Sequence, residues 1–161
     1  MRMPMTGKDE TPGRWCAIFY CAGEWIALRI AKMSEPLLSF VAEHVGTETT
    51  EYTEECVVYL IGFGTGDPEA GGHAWNFSRS FDEDWGVCTV REIQRATVYG
   101  GIERFRLHRS GVECVFEPKE AEEVGFRELR VSFDLDEERW RGLVATAKVV
   151  FRDCPCFTVE E

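Results

Sequence analysis

The stretch Phe105-Arg106-Leu107-His108-Arg109-Ser110-Gly111-Val112-Glu113-Cys114-Val115-Phe116 alternates apolar and polar residues on both sides of a Ser-Gly turn. A period of two places Phe105 and Leu107 on one face, and Val112, Cys114 and Phe116 on one face after the turn. That pattern predicts a β-hairpin. Downstream, Pro118 to Val124 reads as a short helix, with Pro118 tolerated in the first turn and Gly125 as its stop. Leu129, Val131, Phe133 and Leu135 then alternate again, predicting another strand. Asp136 is placed to cap a closing helix whose first turn carries Glu137 and Glu138, where negative charge is favoured. Trp140, Leu143, Val144, Ala147 and Phe151 supply its apolar face.

Upstream of the hairpin, Tyr99-Gly100-Gly101 punctuates the chain. Strands are expected at Cys56 to Ile61, at Ala74 to Ser80 and at Val87 to Arg91. The Gly-, Asp- and Pro-rich stretch Gly62 to Gly72 and the polar stretch Thr47 to Glu55 read as loops. Ser34 resembles an N-cap, followed by Pro36 and by Leu37, Leu38, Val41 and Val45 at helical spacing, with Gly46 closing a helix. Trp15 to Tyr20 and Trp25 to Ile30 suggest a further hairpin across Ala22-Gly23-Glu24. Strands grouped around about three helices, without regular βαβ alternation, predict an α+β domain with a largely antiparallel sheet. Residues 1–14 read as a flexible leader and residues 15–161 as one domain.

With 161 residues and 44% apolar composition, including 11 Phe, 5 Trp and 4 Tyr, the chain can build a core without a disulfide or metal staple. Twenty-nine acids against 18 bases leave a net charge of −11. A field of that sign repels nucleic acid and anionic membranes and favours encounter with basic partners. The simpler reading of the same charge is a solvated, soluble surface, and the runs Glu51 to Glu55 and Glu120 to Glu123 fit it. No run approaches the roughly 18 apolar residues that span a bilayer. The polar N-terminus does not resemble a signal h-region. The seven cysteines (16, 21, 56, 88, 114, 154 and 156) are odd in number and mostly lie among apolar neighbours. Reduced, buried thiols in a cytoplasmic protein are the expectation.

Catalytic patterns are sparse. His44, His73 and His108 are the three histidines, and none forms a zinc-binding His-x-x-x-His or Glu-x-x-His pair. His73, after two glycines, is the one expected in an exposed loop; it reads more simply as an ordinary loop residue than as a catalytic one. Gly62-Phe63-Gly64-Thr65-Gly66 invites a phosphate-loop reading, but Asp67-Pro68-Glu69 follows where a helix N-terminus and a Lys-Ser/Thr pair are needed. Cys154-Pro155-Cys156 is too closely spaced for a zinc knuckle and reads as structural thiols, with a redox or metal role second. No cofactor and no metal site is expected.

Phe81-Asp82-Glu83-Asp84-Trp85 is more informative, because three carboxylates stand between two aromatics. Aromatic anchors ringed by charge make binding hot spots, and acids steer a basic partner. A turn with Trp85 tucked into the core is the simpler reading. A calcium loop fits less well, since the oxygen-ligand spacing of a dedicated site is missing.

From Tyr59 to Phe151 the order of features resembles the immunity protein 10 family of bacterial polymorphic toxin systems. The likeness rests on Tyr59-Leu60-Ile61, on Phe81-Asp82-Glu83-Asp84-Trp85-Gly86-Val87-Cys88, and on Tyr99-Gly100-Gly101-Ile102 leading into the hairpin. Ala121 and Val124-Gly125-Phe126, then a strand and an amphipathic closing helix, complete it. The Gly62 to Gly72 stretch and the N-terminal region depart from the pattern. The resemblance implies a cytoplasmic antidote that binds a toxin domain encoded beside it and needs no catalytic residue. Asp82, Glu83, Asp84, Trp85 and Tyr99 are the candidate partner contacts. Gly86, Gly100, Gly101 and Gly125 are candidates for backbone roles. The alternatives are a regulatory or scaffold module that binds another protein, and a small hydrolase using His73.

Overall fold

The computed structural model describes residues 35–81 and 85–160. Among the described residues, ten strands form two five-stranded sheets, and two α-helices accompany them. The fold is α+β, with two helices among the described residues where about three are predicted.

In chain order, β1 (Glu35–Val41), β2 (His44–Glu51), β3 (Val57–Thr65), β4 (His73–Ser80), β5 (Cys88–Arg91) and β6 (Ala96–Tyr99) come first. Then follow β7 (Ile102–His108), β8 (Gly111–Phe116), α1 (Pro118–Val124), β9 (Phe126–Ser132), α2 (Glu137–Val150) and β10 (Phe157–Glu160). The first sheet runs β2-β3-β4-β5-β6 and is antiparallel throughout. The second runs β1-β9-β8-β7-β10, antiparallel in its centre with parallel pairs at both edges.

The hairpin of Phe105 to Phe116 is β7–β8, with Phe105 opposite Cys114 and Leu107 opposite Val112. α1 and α2 lie where capping chemistry puts them. Gly125 takes φ +88 at the end of α1, and its N–H donates to the Ala121 carbonyl. The Asp136 carboxylate accepts from the Arg139 N–H at 2.8 Å and starts α2. Trp140, Leu143, Ala147 and Val150 of α2 are buried, as is Phe151 just beyond it.

The predicted helix from Ser34 to Gly46 is instead β1 and β2, joined by a turn at Ala42 and Glu43. Leu38 and Phe40 lean toward the core while Leu37 and Val41 face outward, so the operative period is two. The edge of β9 supplies β1 with hydrogen-bond partners, which outweighs a weak local helix preference. Pro36, a poor central-strand residue, sits near the start of this edge strand. The predicted loops shrink for the same reason, since β2 runs on to Glu51 and β3 continues through Gly62-Phe63-Gly64 to Thr65. Within the remaining Gly66 to Gly72 stretch, Asp67 caps a 3-10 turn over Pro68–Ala70. β6 and β10, four residues each, add two strands beyond those the sequence predicts. The predicted hairpin at Trp15 to Ile30 lies outside the described residues.

One core joins both sheets and α2. Ile61, Phe63, Trp75 and Phe77 from the first sheet meet Phe105, Leu107, Val112, Cys114, Phe116, Leu129 and Val131 from the second. Phe105, Phe151 and Phe157 lie with ring centroids 4.2 to 6.0 Å apart, closing the core where α2 hands over to β10. Aromatic contacts at such distances add about 0.5–1.5 kcal/mol each beyond simple burial.

Candidate functional site

Register decides which residues share a face. In the β2–β6 sheet, Glu48, Leu60, Ser78, Cys88 and Tyr99 stand opposite one another in a row. Gly46, Gly62, Asn76, Val90 and Thr97 form the next row. The intervening rows carry Ile61, Phe77, Thr89 and Val98, and Phe63, Trp75 and Arg91; these point into the core. The outward face is thus uncharged from β3 to β6. A shallow groove of about 250 Å³ crosses the β2–β4 side, lined by Gly46, Gly62, Gly64, Leu60 and Asn76 and, on β2, by His44 and Glu48.

Tyr99 closes the first row at the β6 edge and is 55% exposed. Trp85 meets it edge-on, with ring centroids 5.8 Å apart, and is 65% exposed. Trp85 is therefore on the surface, contrary to the simpler reading that buries it. Glycines create this meeting. Gly86 takes φ +78 and lies against Gly100, where a methyl group would contact the Gly100 backbone at 3.7 Å. The Gly100 N–H donates to the Val87 carbonyl at 2.8 Å, tying the two segments together. Gly100 and Gly101 take φ +70 and +67 in succession, turning the chain from the first sheet into the second. A Cβ on Gly101 would overlap the Glu120 side chain, so that position is closed to other residues twice over.

Beneath Tyr99, burial pushes the Cys88 thiol above its usual range, while hydrogen bonds with Tyr99 and Ser78 act in the opposite direction. That direction disfavours the thiolate. Phe81, also exposed, packs edge-on against Tyr59 and under the Arg152 guanidinium, which lies 3.9 Å from its ring centroid. Asp82, Glu83 and Asp84, which join Phe81 to Trp85 in the chain, lie outside the described residues.

His73 does not occupy an exposed loop. It opens β4, packs its ring 5.0 Å from that of Phe40, and places Nδ1 2.9 Å from Glu92 Oε1. Glu92, 6% exposed, also pairs with Arg91 at 3.2 Å and Arg95 at 3.3 Å. Burial works to raise its pKa, but the His73 hydrogen bond and the Arg91 charge prevail and hold the carboxyl below the ordinary range. The network braces an unusual turn, since Glu92, Ile93 and Gln94 all have positive φ without being glycine. Arg91 reaches further, donating to the Val124 carbonyl at 2.6 Å and stacking 4.6 Å from the Phe126 ring centroid. A methyl group on Gly125 would sit 2.9 Å from its guanidinium, a second reason for glycine there. His44 is exposed at the β2 edge, and His108 pairs with Glu160 at 3.1 Å across β7 and β10.

The thiols divide as follows. Cys114 is buried and free, Cys56 and Cys88 are half-buried and free, and Cys16 and Cys21 lie outside the described residues. Cys154 and Cys156, expected as reduced thiols, are joined in a disulfide across one intervening residue and remain partly exposed. The turn after α2 brings them together, with the Cys154 N–H donating to the Phe151 carbonyl at 3.0 Å. Among the described residues, no group of three or more His, Cys, Asp or Glu side chains is arranged to hold a metal ion.

Trp85, Tyr99 and the four glycines stand out in the sequence, whereas the uncharged sheet face beside them and the Arg152–Phe81 contact do not. Alternation within Val57 to Thr65 is masked because both faces carry apolar residues. Nothing local in Arg152 signals a partner 71 positions away.

Together these features define a β-rich α+β protein in which two exposed aromatics border an uncharged sheet face. The chain belongs to the immunity protein 10 family, whose model matches residues 41–141. That span includes the segments carrying Trp85, Tyr99 and Gly125 and ends within α2. Comparison with curated proteins and with solved structures gave no significant match. No helix among the described residues is long and apolar enough to cross a membrane.

Proposed function

We propose that this protein is a cytoplasmic antidote that neutralises a cognate toxin domain by binding it. Trp85 and Tyr99 are its anchors, and Asp82, Glu83 and Asp84 steer a basic partner surface toward them. The observation that carries the reading is the exposed Trp85–Tyr99 pair, which three positive-φ glycines hold at the rim of an uncharged face. Large aromatics left in water on a prearranged backbone fit a binding anchor, because little ordering cost remains to be met on association. Family membership supports the same direction, and the net charge of −11 favours a cationic partner.

Binding, not catalysis, is the proposed activity. In this reading His73, paired through Nδ1 with Glu92 at 2.9 Å, serves the turn that the pair braces.

The test is co-expression with the adjacent toxin gene. The wild-type protein is expected to restore growth and to co-purify with the toxin in a stoichiometric complex. A double variant Trp85→Ala/Tyr99→Ala is expected to lose both while remaining folded. Full protection by that variant at equal soluble levels would remove these anchors from the reading. An acidic toxin would remove the charge argument.

A further inference from the structure

We infer that Cys154 and Cys156 form a reversible thiol–disulfide site whose state sets the position of Phe81. The inference about partner affinity rests on the binding reading above; the structural coupling stands without it.

The bridge is poorly suited to being a staple. A disulfide's stabilisation through chain closure grows with the loop it closes, and this one spans a single residue, Pro155. Its cost is local, in that the chain from Phe151 to Phe157 must hold a tight turn in which Asp153 takes φ +60 without being glycine. Both sulfur-bearing residues are partly exposed, so a dissolved thiol can reach them.

The turn is fastened to β4 on both its main chain and its side chain. The Arg152 carbonyl accepts from the Arg79 guanidinium. The Arg152 guanidinium donates to the Ser80 carbonyl at 3.1 Å and covers the Phe81 ring at 3.9 Å. Residues 79–81 are thus clasped by a residue two positions before Cys154, and Asp82 follows directly. On the other side, the Phe105 N–H donates to the Cys156 carbonyl at 2.8 Å, fixing the far end of the turn to β7. With the far end tied to β7, opening the ring frees the turn around Asp153, next to Arg152, and so reaches the clasp on residues 79–81.

The step itself is a two-electron exchange. A thiolate of a dithiol reductant attacks one sulfur and forms a mixed disulfide while the Cys154–Cys156 bond breaks. The reductant's second thiol then displaces that sulfur. The reductant leaves as a cyclic disulfide, and both cysteines hold protons as free thiols.

Hydrogen exchange followed by mass spectrometry tests the coupling with no partner present. The protein is compared with its bridge intact and after reduction by dithiothreitol, with alkylation reporting two additional thiols. Reduction is expected to raise exchange several-fold in peptides spanning residues 79–88 and 151–157, and to leave β8 and β9 unchanged. Cys154→Ser/Cys156→Ser should reproduce the reduced pattern. Arg152→Ala should raise exchange at 79–88 with the bridge intact and make that segment insensitive to reduction. Unchanged exchange at 79–88 on reduction would overturn the inference, as would loss of protection throughout both sheets. Toxin affinity measured on the two forms then separates the readings. A several-fold difference is expected where exchange responds, and absent toxin binding in both forms would count against the proposed function alone.

Discussion

The two sheets present opposite kinds of surface to their surroundings. On β7–β8–β9 the outward row Arg106, Glu113 and Arg130 alternates in sign across the strands. Beside it, Arg130 donates to Glu128 at 2.8 Å, and Arg127 to Glu103 at 2.6 Å. The side-chain hydrogen bond and nearby charge of Glu128, with the Glu113 charge in addition, raise the Arg130 pKa further. On β3–β6 the outward rows carry Leu60, Ser78, Cys88 and Tyr99, then Gly62, Asn76, Val90 and Thr97. Covering the first surface means stripping water from charges that already pair with one another. Covering the second removes water mostly from small neutral groups, at little cost. The same pleated architecture therefore yields one face of paired charges and one that is largely neutral.

The sharpest way to break that contrast is to truncate the aromatics at the rim of the uncharged face. Trp85→Ala is expected to weaken capture of the toxin by about 30-fold or more, the roughly 2 kcal/mol of a hot-spot residue. Thermal stability should hardly move, because the side chain is mostly in water. Calorimetric titration paired with a melting curve reads both quantities.

Gly101→Ala comes next and acts on the backbone that joins the two sheets. It forces φ +67 on a residue with a Cβ and drives that atom into Glu120. A loss of about 1–3 kcal/mol in unfolding free energy is expected, measured by urea denaturation.

Glu92→Gln asks whether the bracing of the β5–β6 turn is electrostatic. The folded-state pKa of Glu92 lies below its ordinary value, so its stabilisation is present above the unfolded pKa. That contribution is lost as pH falls through the folded value. The variant should be the less stable at pH 7, and the two urea midpoints should converge below the ordinary glutamate range. Midpoints that differ equally at every pH would show that Glu92 acts by shape alone.

The smallest effect is expected on the charged face. Arg106→Gln with Arg130→Gln should leave toxin affinity unchanged within error, since the proposed anchors lie on the other sheet. A loss comparable to that of Trp85→Ala would place the partner on the wrong sheet.

Much of the second sheet was legible beforehand because its signals are local. The β7–β8 hairpin, α1 with its Gly125 stop, and α2 with its Asp136 cap each follow from a period or a capping residue within a few positions. The strand at Cys56 to Ile61 is legible too, but β1, β2 and the far end of β3 differ from the helix and loops the sequence suggests, because their conformation depends on distant partners. Leu37, Leu38, Val41 and Val45 fit a helical spacing and an edge strand equally, and pairing with β9, about 90 residues away, decides between them. Gly62 and Gly64 suggest a loop by composition, yet their places opposite Gly46 and Ala74 keep them in a strand.

The candidate site divides in the same way. By itself, the sequence determined that Trp85 follows three acids, that Tyr99 precedes two glycines, and that the chain carries strong negative charge. These are facts of composition and order. Only the tertiary structure decided that Trp85 and Tyr99 touch, that an uncharged face lies beside them, and that Arg152 clasps Phe81. Contacts between residues far apart in the chain depend on strand register and on which face a side chain takes. Both are settled by the whole core packing at once, and no local pattern encodes them.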